Sequence, residues 1–174
     1  TQVALAKDQE REGAHALDVC VAYAGRDEVR DMANLVERLA TEVRIPLVID
    51  STEVAVVEAA LRRAPGKCVV NSIHFEDGGD KARRILDLCT TYGAVVVGLT
   101  IDERGMAHTL DHKLAVAQRL VDLVVGTYGF NPSDLIVDPL TFTLASGDEA
   151  YRRAAVETLE ALRAIKERHH GVVA

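Results

Sequence analysis

Residues 94–102 read Ala-Val-Val-Val-Gly-Leu-Thr-Ile-Asp. No polar residue interrupts the run from Ala94 to Leu99, and it ends at Thr100-Ile101-Asp102. A strand with one wet face alternates apolar and polar side chains; a strand of a parallel sheet covered on both sides does not. The stretch therefore reads as a strand of the second kind.

The same pattern recurs on either side of it. Leu47-Val48-Ile49 follows Pro46 and ends at Asp50-Ser51-Thr52, and Cys68-Val69-Val70 ends at Asn71-Ser72. Leu135-Ile136-Val137 ends at Asp138-Pro139, and Ala16 to Val21 is a shorter apolar run interrupted by Asp18. Amphipathic segments fill the intervals. Over 27–42, Val29, Met32, Ala33, Val36 and Leu39 fall at three- and four-residue steps, the period of a helix. Helices are also expected over 3–13, 53–63, 78–92, 108–127 and 148–168, with Gly13, Pro65-Gly66 and Gly93 as breakers. Gly171-Val172-Val173-Ala174 reads as a strand that has barely begun.

The order is thus a helix, five strand–helix units and a stub. The units recur about every 30 residues, and no linker or low-complexity tract divides them. Parallel neighbours require crossovers, which the helices supply. The fold class is α/β, as an open doubly wound sheet or a (β/α) barrel.

Composition narrows the function. The 174 residues suffice for one domain, and 48% hydrophobic with 27% charged residues is the make-up of a globular chain. A formal net charge of −7 argues against a nucleic-acid surface, which needs clustered Lys and Arg. No apolar run approaches the roughly 20 residues of a membrane-spanning helix, and the N-terminus lacks the pattern of a secretory signal. Cys20, Cys68 and Cys89 form no CxxC pair and suit packing in a reducing compartment, so a cytoplasmic location is expected.

Each expected strand ends in a polar side chain: Asp18, Asp50, Asn71, Asp102 and Asp138, with Ser51, Thr52, Ser72 and Thr100 alongside. In a parallel α/β fold all strand C-termini lie at one rim, where barrel active sites are built. Helix capping is the competing explanation, with Asp50 or Ser51 placed to cap the helix from 53. Five such residues in a row exceed what capping explains. The chain has no GxGxxG and no GxxxxGK[ST], so a phosphate cradle is not indicated. Carboxylates and an amide suit a neutral heterocycle rich in N–H donors. A carboxylate accepts two parallel hydrogen bonds from an aminopyrimidinone edge, such as that of a pterin.

Leu17-Asp18-Val19, Val48-Ile49-Asp50-Ser51-Thr52, Val70-Asn71-Ser72-Ile73 and Val137-Asp138-Pro139-Leu140 resemble the pterin-binding methyltransferases. That family includes the folate-binding domain of cobalamin-dependent methionine synthase, to which the likeness is closest, and the methyltetrahydrofolate:corrinoid methyltransferases. Dihydropteroate synthase is a more distant relative. The tracts Arg11 to Asp18 and Leu99 to Gly105 are similar to the methionine synthase pattern as well. The resemblance implies a TIM-type (β/α) barrel in which Asp50, Asn71 and Asp138 hold the pterin ring, with Asp18 and Asp102 lining the pocket. It implies methyl transfer from 5-methyltetrahydrofolate to a cob(I)alamin or other corrinoid on a separate domain or subunit, as in methionine biosynthesis. A dihydropteroate synthase-like enzyme and a non-catalytic pterin-binding fragment are the alternatives. The first lacks its late Lys and Ser-x-Arg motif here.

The barrel of such proteins has eight strands and roughly 250 residues. Residues 1–174 are accordingly expected to be a single pterin-binding domain forming part of a longer barrel, five strands plus a stub. The resemblance puts the family's late Asn, which hydrogen-bonds the methyl-bearing nitrogen, in the part not seen, so the activity is assigned to the parent protein. An open sheet also leaves unpaired edges, through which self-association is expected. The sequence departs from the family at His74 and Cys20, where Asn is usual. His108, Asp111 and His112 could share a metal on one helix, but solvated helix residues are the plainer reading, and no metal is expected.

Overall fold

The structure, a computed structural model, describes residues 1–141 and 151–174. In chain order its main elements are α1 (Gln2–Arg11), β1 (Leu17–Val19), α2 (Glu28–Leu39), β2 (Leu47–Asp50), α3 (Val54–Leu61), β3 (Val69–Ile73), α4 (Asp80–Tyr92), β4 (Val95–Leu99), β5 (Ile101–Asp102), β6 (Gly105–Met106), α5 (Leu110–Val121), β7 (Leu135–Asp138) and α6 (Ala154–Arg168). Five strands form one sheet in the order β1-β2-β3-β4-β7, with the helices as crossovers. The chain divides into two compact units.

The first unit comprises Thr1–Ser72 and Asp87–Val95. In it β1, β2 and β3 pair in parallel, with Val19 opposite Ile49 and Asp50 opposite Asn71. Asp27 caps α2 by accepting from the Arg30 N–H at 3.1 Å, which satisfies a donor that the helix start would otherwise leave open. Met32, Ala33, Leu35, Val36 and Leu39 form the buried face of α2, which packs against α3. Val29, read as part of the apolar stripe, is 41% exposed; it lies in the first turn of α2, outside the buried face.

The second unit comprises Ile73–Leu86 and Val96–Ala174. β4 pairs in parallel with β7, from Val96 opposite Leu135 to Leu99 opposite Asp138. The expected stub is realised as a parallel bridge: the Val137 N–H donates to Val173 O at 2.7 Å and the Val173 N–H to Leu135 O at 3.1 Å. α5 packs against α6 and β7. A Cβ built on Gly98 would stand 2.9 Å from both δ carbons of Leu120, so this glycine lets α5 lie close upon β4.

Three local readings change. Thr100-Ile101-Asp102 is not a plain strand end: Ile101 and Asp102 turn back antiparallel on Gly105 and Met106. Gly105 takes φ +94°, a conformation that glycine adopts without steric cost. The helix expected over 108–127 starts later, because the Thr109 hydroxyl accepts from the His112 N–H at 3.4 Å and leaves His108 outside. Its last part, Asp122–Thr127, widens into a π-helix. Of the helix expected over 148–168, residues 148–150 lie outside the described residues, and α6 runs over Ala154–Arg168.

The strands alternate in burial although they hardly alternate in polarity. Leu47, Ile49, Val70, Val96, Leu135 and Val137 are buried, while Val48, Val69, Val97 and Ile136 between them are half-buried. Each strand thus has a packed side and a partly open side, and pleating sends alternate residues to each.

Candidate functional site

Asp18, Asp50 and Asn71 lie on the first unit's strands β1, β2 and β3, and each takes the less buried pleat position of its strand. Asp50 and Asn71 are register partners, which sets their Cα atoms side by side. Asn71 O accepts the Ser51 N–H at 2.9 Å, tying the end of β2 to β3. The capping explanation for Asp50 is not realised. Glu53 is the N-cap of α3, and its N–H donates to Ser51 Oγ at 3.1 Å. Among the described residues no hydrogen bond engages the Asp50 carboxylate or the Asn71 side-chain amide, so both keep their full bonding capacity. Partial burial, and then the negative charge of Asp50, raise the Asp18 carboxyl above its ordinary range, although much of that side chain meets solvent. Asp18 and Asp50 are therefore close enough to repel.

Asp138 ends β7 in the second unit, again at the less buried pleat position. Its backbone carbonyl accepts the Thr100 N–H at 3.1 Å, and its Oδ1 accepts the Leu140 N–H at 2.8 Å. Leu140 has φ 55°, in the left-handed region. Beneath this turn lies Lys113 of α5, only 1% exposed, whose Nζ donates to Pro139 O at 2.5 Å and to Leu140 O at 3.1 Å. Burial pushes the Lys113 amine below its ordinary value, and the charges of Asp138 and Glu157 oppose that. Glu157 of α6 also accepts the Leu110 N–H at 2.7 Å, capping α5. The sequence reading passed over Lys113. The available signal was a lysine in register with Val116, Ala117 and Leu120, the buried stripe of α5.

Asp102 has a different setting. It is 3% exposed and sits in the short hairpin. Its carboxylate accepts from the Arg104 N–H at 2.9 Å, from Arg104 Nη2 at 2.9 Å and from His112 Nε2 at 2.9 Å, with Arg119 Nη1 at 3.8 Å. Burial by itself would raise this carboxyl; the hydrogen bonds from Arg104 and His112 outweigh it and hold the group well below the usual carboxylate range. Arg119 meanwhile grips both oxygens of Glu103 and lies 4.5 Å from the centre of the Phe75 ring. The reading of His112 as solvated is corrected: it lies against Asp102, with its side chain 16% exposed. His108 stacks on Tyr151. Cys68 and Cys89 are buried, with burial pushing Cys89 up to about 12, whereas Cys20 is exposed and does not serve core packing. Thr100 Oγ1 is buried with no hydrogen-bond partner among the described residues.

Comparison with known proteins adds to this geometry. The family model described as pterin binding enzyme matches residues 1–174. Methionine synthase of Mycobacterium tuberculosis is 47% identical over 171 residues, covering 97% of this chain and 14% of the relative. Methionine synthase of Mycobacterium leprae is 46% identical over the same length. The chain therefore spans about one-seventh of these curated relatives, 14% of each. Among solved structures, a Yersinia pestis dihydropteroate synthase with a pterin–sulfa conjugate superposes with a TM-score of 0.62 at 16% identity, over 97% of this chain and 62% of that one. A dihydropteroate synthase of Xanthomonas albilineans gives 0.64 at 21% identity, over 98% and 60%. These likenesses fix the fold: a parallel α/β sheet of the TIM-barrel type, present in part.

Proposed function

The chain belongs to the pterin-binding enzyme family, and on that premise we propose that it holds the pterin ring of 5-methyltetrahydrofolate for methyl transfer to a corrinoid. The ring is held by Asp50, Asn71 and Asp138, with Asp18 as a further acidic group of the pocket; Asp102, expected beside them, is buried with its carboxylate bonded by Arg104 and His112 and does not line it. One observation carries the reading. Asp50 and Asp138 each close a parallel strand, Asn71 lies opposite Asp50 in the middle of β3, and all three take less buried pleat positions, so none is lost to the packed side. The unengaged side chains of Asp50 and Asn71 support it.

The chemistry follows from these groups. The aminopyrimidinone edge of a pterin offers adjacent N–H donors, which a carboxylate accepts in parallel; an Asn both donates and accepts. Methyl transfer leaves electron density on the departing ring nitrogen, which must be protonated or hydrogen-bonded to leave. The pterin site supplies orientation, and the corrinoid, as cob(I)alamin on a separate domain or subunit, supplies the nucleophile. Identity with methionine synthases at 14% of their length supports a place within a larger, multi-domain protein of methionine biosynthesis. A cytoplasmic setting fits that role, and no helix among the described residues is long and apolar enough to cross a membrane.

Calorimetric titration with 5-methyltetrahydrofolate tests the assignment. The wild-type chain is expected to bind one equivalent, and Asp138→Ala to bind about 10- to 100-fold more weakly, the worth of a charge-assisted hydrogen bond. Equal affinity of the two proteins would refute the assigned pocket.

A further inference from the structure

We propose that Lys113 is a positioning residue for Asp138: its buried ammonium holds the Asp138-Pro139-Leu140 turn in the shape that presents the Asp138 carboxylate to the pterin. The ligand is that of the function proposed above, and the geometry stands without it.

A lysine is almost never fully buried unless paired. Lys113 heads the fully buried side chains of this chain, yet no carboxylate oxygen among the described residues comes within ion-pair distance of it. Its ligands are two consecutive backbone carbonyls, those of Pro139 and Leu140. For packing alone a methionine would fill the same space without the cost of dehydrating a charge. What the ammonium does is bond two consecutive backbone carbonyls at once.

That pair of bonds shapes the turn. Leu140 is held at φ 55°, in the left-handed region that a residue with a Cβ rarely adopts. In that conformation its N–H reaches Asp138 Oδ1 at 2.8 Å and fixes the carboxylate rotamer. Oδ2, and one lone pair of Oδ1, stay available. The Thr158 hydroxyl lies 2.7 Å from Leu140 O but also 2.9 Å from Ala154 O, and its one hydrogen serves one of them at a time. Among the described residues, Lys113 alone bonds both carbonyls of the turn. Its hydrogen bonds go to the backbone of the turn and not to the Asp138 carboxylate, so it acts on that carboxylate through the turn.

Two readouts on the full chain test this. In the first, 5-methyltetrahydrofolate is titrated into wild type, Lys113→Met, Asp138→Asn and the double variant. Lys113→Met is expected to weaken binding tenfold or more, but less than twofold in the Asp138→Asn background, because residues that act as one unit are not additive. Wild-type affinity in Lys113→Met, or full additivity, overturns the proposal. In the second, hydrogen exchange of the Leu140 amide is followed without ligand. Lys113→Met is expected to speed it tenfold or more, and an unchanged rate overturns the proposal. If Lys113→Met does not fold, Lys113→Gln removes the charge but keeps a donor, and the same two readouts apply. If the wild-type chain binds no pterin, the functional reading falls, and exchange at Leu140 decides whether Lys113 holds the turn.

Discussion

Asp102 lies almost wholly out of water, its side chain 4% exposed, within reach of Arg104, His112 and Arg119. Its folded-state carboxyl is held below the ordinary value of about 3.9, so it stabilises the fold at every pH above that value and loses the contribution as pH falls through the folded one. Asp102→Asn is expected to cost about 1.5–3 kcal/mol in urea unfolding at pH 7, since it removes the charged acceptor of Arg104 and His112. The gap from wild type should narrow below about pH 4, where the unfolded chain takes up a proton at Asp102 that the folded carboxylate still resists. A gap that stays constant from pH 7 to pH 3 would show that shape, not charge, is what Asp102 supplies. Asp50, Asn71 and Asp138 were legible in the sequence because they interrupt apolar runs at the same place in each unit. The partners of Asp102 were not: His112 and Arg119 stand two turns apart on α5, and only tertiary structure brings that face over the hairpin. Lys113 was readable as a cation in an apolar stripe, but what it bonds lies on another element.

At the scale of elements, β4 joins sequence to packing most directly. Its valines fix it as a strand, and Gly98 fixes how near α5 can come. Gly98→Ala is expected to destabilise the chain by about 1–3 kcal/mol, because the new methyl meets buried Leu120 and the core around it is closely packed. Leu120→Val removes the two δ carbons in the way, so the double variant should recover part of the loss in the same denaturation experiment. A Gly98→Ala chain as stable as wild type would mean that α5 is not held against β4. Strand and helix identities were legible because apolar runs and three-to-four periodicity report burial. Ends were less so. The Thr109 cap excludes His108, and the Asp122–Thr127 widening depends on backbone hydrogen bonds that side-chain pattern does not encode. The hairpin after β4 hides in Asp102 to Gly105, which has a glycine at the right place but too few residues for a strand pattern.

At the scale of the molecule, the alternation of strands and helices was enough to read a parallel α/β fold, and the strand order bears this out. It was not enough to choose between an open sheet and a barrel, because both give the same local pattern. Motif order supplied the choice, and the superposition on dihydropteroate synthases supports it. A net charge of −7 suits the proposed binding, by directed hydrogen bonds to a neutral ring rather than by attraction of an anion. The claim on which the account depends is that Asp50, Asn71 and Asp138 surround one pterin. Labelled with 15N and 13C and titrated with 5-methyltetrahydrofolate, the chain should show the Asn71 side-chain amide and the Asp50 and Asp138 carboxyl carbons shifting together along one saturation curve. Signals from these three groups that stay still, while the ligand binds elsewhere or not at all, would contradict it.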